Sequence, residues 1–216
     1  MTSKSIIKVV IADDHAIVRE GLKQILADTG DIVVAADAES GADAVKVARR
    51  KKCDVMLLDI SMPDRSGIDV LKQLHKEFPD MAVLMLSMHR EDQYAIRSLK
   101  AGAAGYLNKQ SAPDELVNAI RQVAAGKKYI SPALAQELAN HLSEDHEAMP
   151  HEGLSDREYQ TLIMIASGKT VSEIAADLAL SVKTISMYRT RLLQKMKLRH
   201  NAELTHYAIK HHLVEE

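Results

Sequence analysis

The sequence predicts two folds in one chain: an α/β domain on a five-stranded parallel sheet, then a small all-α domain containing a helix-turn-helix. Three observations predict it. Apolar, β-branched-rich runs alternate with helically spaced segments through the first part of the chain, the pattern of strands joined by crossover helices. The third and fourth of those runs are continuously rather than alternately hydrophobic, as strands covered on both faces require. Beyond Gly153 such runs cease and helix-capping signals follow one another. The chain has 216 residues, 46% hydrophobic and 27% charged, an ordinary globular composition long enough for two domains that each bury a core.

The predicted strands are IIKVVIA (6–12), DIVVAADA (31–38), DVMLLDI (54–60), AVLMLSM (82–88) and GYLN (105–108). Between them lie helices, with Val18, Leu22, Ile25 and Leu26 on one face of the first and Leu116, Ala119, Ile120 and Val123 on one face of the last. A parallel sheet carries its ligand crevice at the carboxyl ends of its strands. Those ends are Asp13 and Asp14, Asp59, Ser87 and Lys109. A single strand-ending Asp is usually a turn or cap residue. Three carboxylates, a hydroxyl and an ammonium at one edge instead suit phosphoryl transfer: crowded carboxylates need a cation such as Mg2+, and the lysine and hydroxyl suit phosphoryl oxygens. Pro63 and Gly67 in DISMPDRSG supply a turn after Asp59.

LSEDHEAMPHEG (142–153) has charge, Pro and Gly without an apolar period, and reads as a linker. The expected organisation is residues 1–128, a helical extension and linker over 129–152, and a helical domain over 153–216. Charge follows the same division: 19 basic against 23 acidic residues precede Leu154, and 9 against 7 follow. From Leu178 to Ala202 there is no acidic residue, while Lys183, Arg189, Arg191, Lys195, Lys197 and Arg199 occur. Such a stretch suits a polyanion, although many basic helices are solvated faces.

Ser155 with Glu158, and Thr170 with Glu173, form two capping boxes, and Ser181 is the next N-cap. Two short helices meeting at a tight turn, at about 171–190, are a helix-turn-helix whose second helix enters a major groove. On that helix Val182, Ile185, Leu192, Leu193 and Met196 are expected inward, and Lys183, Ser186, Met187, Thr190, Gln194 and Lys197 outward. Lys183, Arg189, Arg191, Lys195 and the Tyr188 hydroxyl would hold phosphates, while Ser186, Met187 and Thr190 would discriminate bases. Thr184 joins this DNA-facing set.

These motifs carry a resemblance. Residues 6–125, with the pair Asp13 and Asp14, MPDRSG after Asp59, Ser87, and Lys109 followed by Ala112-Pro113, resemble a bacterial response-regulator receiver domain. LSDREYQTLIMIASGKTVSEIAADLALSVKTISMYRTRLLQKM resembles the four-helix LuxR-type helix-turn-helix. Together they are similar to a two-component regulator of the NarL/FixJ type. The resemblance implies a flavodoxin-like sheet in which Asp59 accepts a phosphoryl group from a cognate sensor histidine kinase. Mg2+ would be held by Asp13, Asp14, Asp59 and the backbone carbonyl of Ser61. Lys109 would bind the phosphoryl group. Ser87 and Tyr106 would act as the switch, reshaping the fourth helix, fifth strand and fifth helix. Ser61 and His89 would tune the lifetime of the acyl phosphate. Tyr106 as a packed strand aromatic and His89 as a solvated loop residue are the plain alternatives. The family often has Thr or Val and then His where this chain has Met187 and Tyr188, so familiar base contacts do not transfer.

The expected function is a phosphorylation-activated transcriptional regulator that binds double-stranded promoter DNA, as a homodimer on phosphorylation. It is not a turnover enzyme beyond Mg2+-dependent self-phosphorylation from a phosphodonor and autodephosphorylation. Two alternatives stand beside it: an Asp-nucleophile, Mg2+-dependent small-molecule phosphatase, which would want a second aspartate where Ser61 stands, and a phosphorylation-independent DNA-binding regulator. No apolar run approaches the roughly 20 residues that span a bilayer, and MTSKSIIKVV leads straight into a strand pattern, so a membrane role and a cleaved leader are not expected. With Cys53 alone, an internal disulfide is excluded and a cytoplasmic location fits. Cys53 reads as a small core or strand-edge residue. The histidines at 141, 146 and 151, and at 200, 206, 211 and 212, read as solvated rather than as a metal set.

Overall fold

A computed structural model of the chain describes residues 6–88, 93–143 and 149–214. Two compact units follow one another, divided between Leu142 and Ser143. The first is built on β1 (Ile7–Ala12), β2 (Ile32–Ala38), β3 (Val55–Asp59), β4 (Ala82–Ser87) and β5 (Gly105–Asn108). All pairings are parallel, in the order β2-β1-β3-β4-β5. β3 is buried at every residue, which is why its sequence is apolar throughout until the final Asp59. The chain leaves β1 for β2 at the edge and returns to β3 on the other side of β1. That reversal opens the crevice at the carboxyl ends of β1 and β3.

Helices α1 (Ala16–Ala27), α2 (Gly41–Arg50), α3 (Gly67–Glu77), α4 (Gln93–Lys100) and α5 (Pro113–Ala124) connect the strands. The expected stripes face the sheet except at Val18, which is half-buried outside this core: Leu22, Ile25 and Leu26 of α1, with Leu116, Ala119, Ile120 and Val123 of α5, pack on Val9, Ile11, Val55, Leu57, Leu84 and Leu107. Local chemistry starts the helices. The Ser40 side chain accepts from the Asp43 N–H at α2, the Ser66 side chain from the Ile68 N–H at α3, and Pro113 opens α5 with Asp114 and Glu115 in its first turn. After α5 the chain forms α6 (Pro132–Ser143). The helix covers the first residues of the stretch expected to be linker.

The second unit contains α7 (Asp156–Ala166), α8 (Val171–Asp177), α9 (Val182–Met196) and α10 (Asn201–Lys210). Both capping boxes are present, at α7 and α8, and the Ser181 side chain accepts from the Thr184 N–H at α9. The stop after α7 is Gly168 at φ +87°, a left-handed conformation that glycine adopts without cost. Leu162, Ile174, Ile185, Leu192, Leu204 and Ala208 form a fully buried centre. Two expectations need correction. Val182 is 50% exposed, because the first turn of α9 projects beyond the neighbours that cover Ile185. His151 is buried rather than solvated. Pro150–Gly153 closes into a 3-10 turn, and His151 Nδ1 meets the Tyr207 hydroxyl of α10 at 2.8 Å.

Candidate metal centre and nucleic-acid interface

The strand ends bring most of the chemistry-bearing residues of the first unit together. Asp13, at the end of β1, is fully buried, and Asp59, ending β3, is 2% exposed. Lys109, following β5, reaches across with its Nζ 2.7 Å from Asp13 Oδ2 and 3.0 Å from Asp59 Oδ1. Its backbone N–H donates to the Ser87 carbonyl at 2.7 Å, tying the end of β4 to the lysine. Burial pushes the Asp59 carboxyl up to about 6; Lys109 opposes the shift, Asp13 adds to it, and the Ser61 N–H opposes it. For Lys109, burial alone would lower the ammonium, yet Asp59 and Asp13 outweigh it and the net shift is upward.

The turn after Asp59 is built for close approach. A Cβ on Gly67 would lie 2.1 Å from the Asp59 carbonyl oxygen and 2.7 Å from Ile60 Cα, so only glycine lets α3 start against the strand end. Asp64 fixes the loop from outside by accepting the Gly41 and Ala42 N–H groups at 2.9 and 2.8 Å. Ser87 and Tyr106 are both buried. Ser61 is half-buried, and His89 lies outside the described residues.

Oxygens of Asp13, Asp14 and Asp59 and a ring nitrogen of His15 all lie within 4.8 Å of one another. The buried atoms Asp13 Oδ2, Asp14 Oδ1 and Asp59 Oδ2 lack a well-aligned hydrogen bond, although Lys109 Nζ lies 2.7 Å from Asp13 Oδ2 and His15 Nδ1 lies 2.8 Å from Asp14 Oδ1. Buried carboxylate oxygens without donors are costly, so this donor set fits a divalent cation. Two participants were invisible to sequence reasoning. His15 follows the acidic pair, which was its only signal. Arg19, buried on α1, donates from Nη1 to the Asp13 carbonyl at 2.8 Å while engaging Asp37 and Glu39, and so pins the acidic loop to the end of β2. Cys53 is half-buried, with Sγ 3.2 Å from Met81 Sδ. Burial, with Asp54 adding, pushes its thiol up to about 11, far from a reactive thiolate.

In the second unit, α8 and α9 meet at a turn held by the Leu180 N–H donating to Ala175 O at 2.9 Å, with Ala179 at φ +48°. Ile185, Leu192, Leu193 and Met196 of α9 are buried. Lys183, Ser186, Met187, Thr190, Arg191, Gln194, Lys195 and Lys197 are exposed, and Thr184, Tyr188 and Arg189 half-buried. Two cations are tied within the unit. Arg189 Nε donates to Asn201 Oδ1 at 2.6 Å, and Lys195 Nζ lies 2.6 Å from Glu158 Oε2. Lys183 and Arg191 carry no such tie among the hydrogen bonds and ion pairs of the described residues. The Thr190 hydroxyl donates to the Ser186 carbonyl at 2.9 Å, and the residue is exposed.

Comparison with known proteins identifies both halves. Residues 9–121 match the family described as response regulator receiver domain, and residues 152–208 match bacterial regulatory proteins, luxR family. The response regulator UvrY of Escherichia coli (strain K12) is 40% identical over 208 residues, covering 96% of this chain and 95% of that protein. The response regulator GacA of Pseudomonas aeruginosa is 40% identical over 211 residues, covering 97% and 98%. Among solved structures, RcsB from Salmonella enterica serovar Typhimurium, bound to promoter rprA in the presence of the phosphomimetic BeF3-, aligns with a TM-score of 0.65 at 25% identity, covering 94% of this chain and 98% of that one. None of the described helices is long and apolar enough to cross a membrane. With the sheet order, the strand-end cluster, the capped helix-turn-helix and near full-length relatives all in agreement, the chain belongs to the two-component response regulators of the NarL/FixJ type, DNA-binding transcriptional regulators that join a receiver domain to a LuxR-type helix-turn-helix.

Proposed function

We propose that Asp59 is the phosphoacceptor and that its phosphorylation controls dimerisation and promoter binding. The supporting observation is the Asp59 carboxylate: buried at the carboxyl end of β3, ion-paired through Oδ1 to Lys109, with Oδ2 lacking a hydrogen bond beside two further aspartates. An Asp59 oxygen forms the new P–O bond as the P–N bond of a sensor kinase phosphohistidine breaks, and the donor imidazole leaves. Lys109 holds a phosphoryl oxygen and exchanges one anionic partner for another. Asp13, Asp14, Asp59 and the Ser61 carbonyl hold Mg2+, which when bound neutralises charge on the transferring group. Acetyl phosphate serves as a small-molecule donor for the same self-phosphorylation, and water later releases the phosphate, with Ser61 and His89 tuning that lifetime.

The added phosphate brings about −1.5 to −2 charges to the strand-end edge. Ser87 turns its hydroxyl to the phosphoryl group and Tyr106 carries the change to the surface of α4, β5 and α5. Two receivers then associate, and two α9 helices address half-sites of double-stranded promoter DNA in the cytoplasm. Lys183 and Arg191 hold phosphates. Arg189 and Lys195 do so at the cost of their internal bonds, with Thr184, Tyr188 and Gln194 flanking, while Ser186, Met187 and Thr190 read bases. The test is mass spectrometry of the full chain after Mg2+ and acetyl phosphate. The peptide carrying Asp59 is expected to gain about 80 Da, and Asp59→Asn is expected to gain nothing. No adduct on folded protein with an active donor would overturn the reading.

A further inference from the structure

His15 stands out because nothing in the proposed phosphoryl transfer uses it. It is the N-cap residue of α1, yet its side chain makes no capping hydrogen bond. Its ring is 64% exposed, and its Nδ1 lies 2.8 Å from Asp14 Oδ1 and 3.3 Å from Asp13 Oδ1. Neighbouring ligands around one octahedral ion with bonds of about 2.1 Å are about 3.0 Å apart, and opposite ligands about 4.2 Å. The two His15 distances bracket the first value. The span of 4.8 Å over all four donors requires only a small contraction to reach the second. The His15 N–H donates to Asp13 Oδ1 at 2.8 Å, so the backbone already holds the ring beside the carboxylates. A second sign of a cation site is Asp59 Oδ2, buried and without a hydrogen-bond partner at the same point.

Resting on the metal reading above, we propose that His15 Nδ1 is a further ligand of the cation held by Asp13, Asp14 and Asp59. The site therefore favours first-row transition-metal dications such as Mn2+ over Mg2+. Mg2+ is a hard ion served by oxygen and reluctant to dehydrate, whereas an imidazole nitrogen suits the transition metals. In the Mg2+ form, His15 gives way to water. In the transition-metal form, the nitrogen replaces that water, and the receiver responds to which dication is abundant.

The experiment uses the full chain with substoichiometric Mn2+ and pulsed electron paramagnetic resonance. Wild type is expected to show the 14N modulation of a directly bound imidazole, and His15→Gln to lack it. His15→Gln is also expected to weaken Mn2+ binding about tenfold, with Mg2+ affinity, measured by competition, unchanged within about twofold. Circular dichroism confirms that the variant is folded, as an exposed residue without a side-chain cap predicts. Bound Mn2+ without nitrogen coupling in wild type, coupling that persists in His15→Gln, or equal losses for both ions overturns the proposal while leaving the metal site intact. Mn2+ binding that is absent, or indifferent to Asp59→Asn, overturns the underlying metal reading instead.

Discussion

At Asp59 the physics of burial and of function pull in opposite directions. Its carboxyl is raised from 3.8 to about 6, with burial the largest cause, so between those values the folded state binds more protons than the unfolded one. Stability from this group is fully present below about pH 4 and is lost as pH rises through 6. In chelator at pH 7, Asp59→Asn is expected to raise unfolding free energy by about 1–3 kcal/mol and to remove any increase in melting temperature on adding Mg2+; a scan with and without the ion checks both. Because bound Mg2+ demands the ionised carboxylate, its affinity in wild type is expected to fall as pH drops through about 6, which titration calorimetry across that window measures. Sequence reasoning placed the carboxylates at one edge from their positions at strand ends. It had no access to the shift, which comes from how completely β3 is covered.

At the scale of the element, α9, the proposed reading helix, is also a brace. Lys183 is exposed, so Lys183→Ala is expected to weaken binding across DNA sequences and to reduce the salt slope by about one. Lys195 differs, since Glu158, to which it is paired, also accepts the Ser155 N–H of the α7 capping box at 2.8 Å. Burial would raise the Glu158 carboxyl, but Lys195 and the Ser155 N–H and hydroxyl hold it below its ordinary value. Lys195→Ala is therefore expected to destabilise the helical unit, by about 1 kcal/mol for a largely exposed cation, and to change the salt slope less than Lys183→Ala does. Denaturant melts and binding at several salt concentrations separate the two. Thr190→Ala is expected to leave the slope intact and alter the ranking of operators. The caps themselves were legible because a Ser or Thr three residues before a Glu is a local signal. Which outward cation was already occupied was not, because Glu158 and Asn201 arrive from other helices.

For the whole molecule, the proposed switch couples one esterified carboxylate to the meeting of two chains. Sedimentation of wild type with Mg2+ and acetyl phosphate is expected to shift from monomer towards dimer, and DNA with two half-sites about one helical turn apart to be bound more tightly than a single half-site. Asp59→Asn is expected to show neither change. Equal promoter occupancy by both proteins would establish regulation independent of phosphate.

The sequence by itself determined the alternation of strands and helices, the five strand-end residues and the capped helix-turn-helix, because hydrophobic period and capping chemistry act within a few residues along the chain. Tertiary structure decided the rest. It set the bridging of Asp13 and Asp59 by Lys109, the grip of Arg19 on the acidic loop, the nearness of the His15 ring to the carboxylates and the burial of His151 against Tyr207. The lysine bridge and the His151–Tyr207 contact depend on groups from separate elements meeting at hydrogen-bond distance, and the other two on how the loop after β1 is folded. A few tenths of an ångström decide such contacts, and local periodicity carries no record of them.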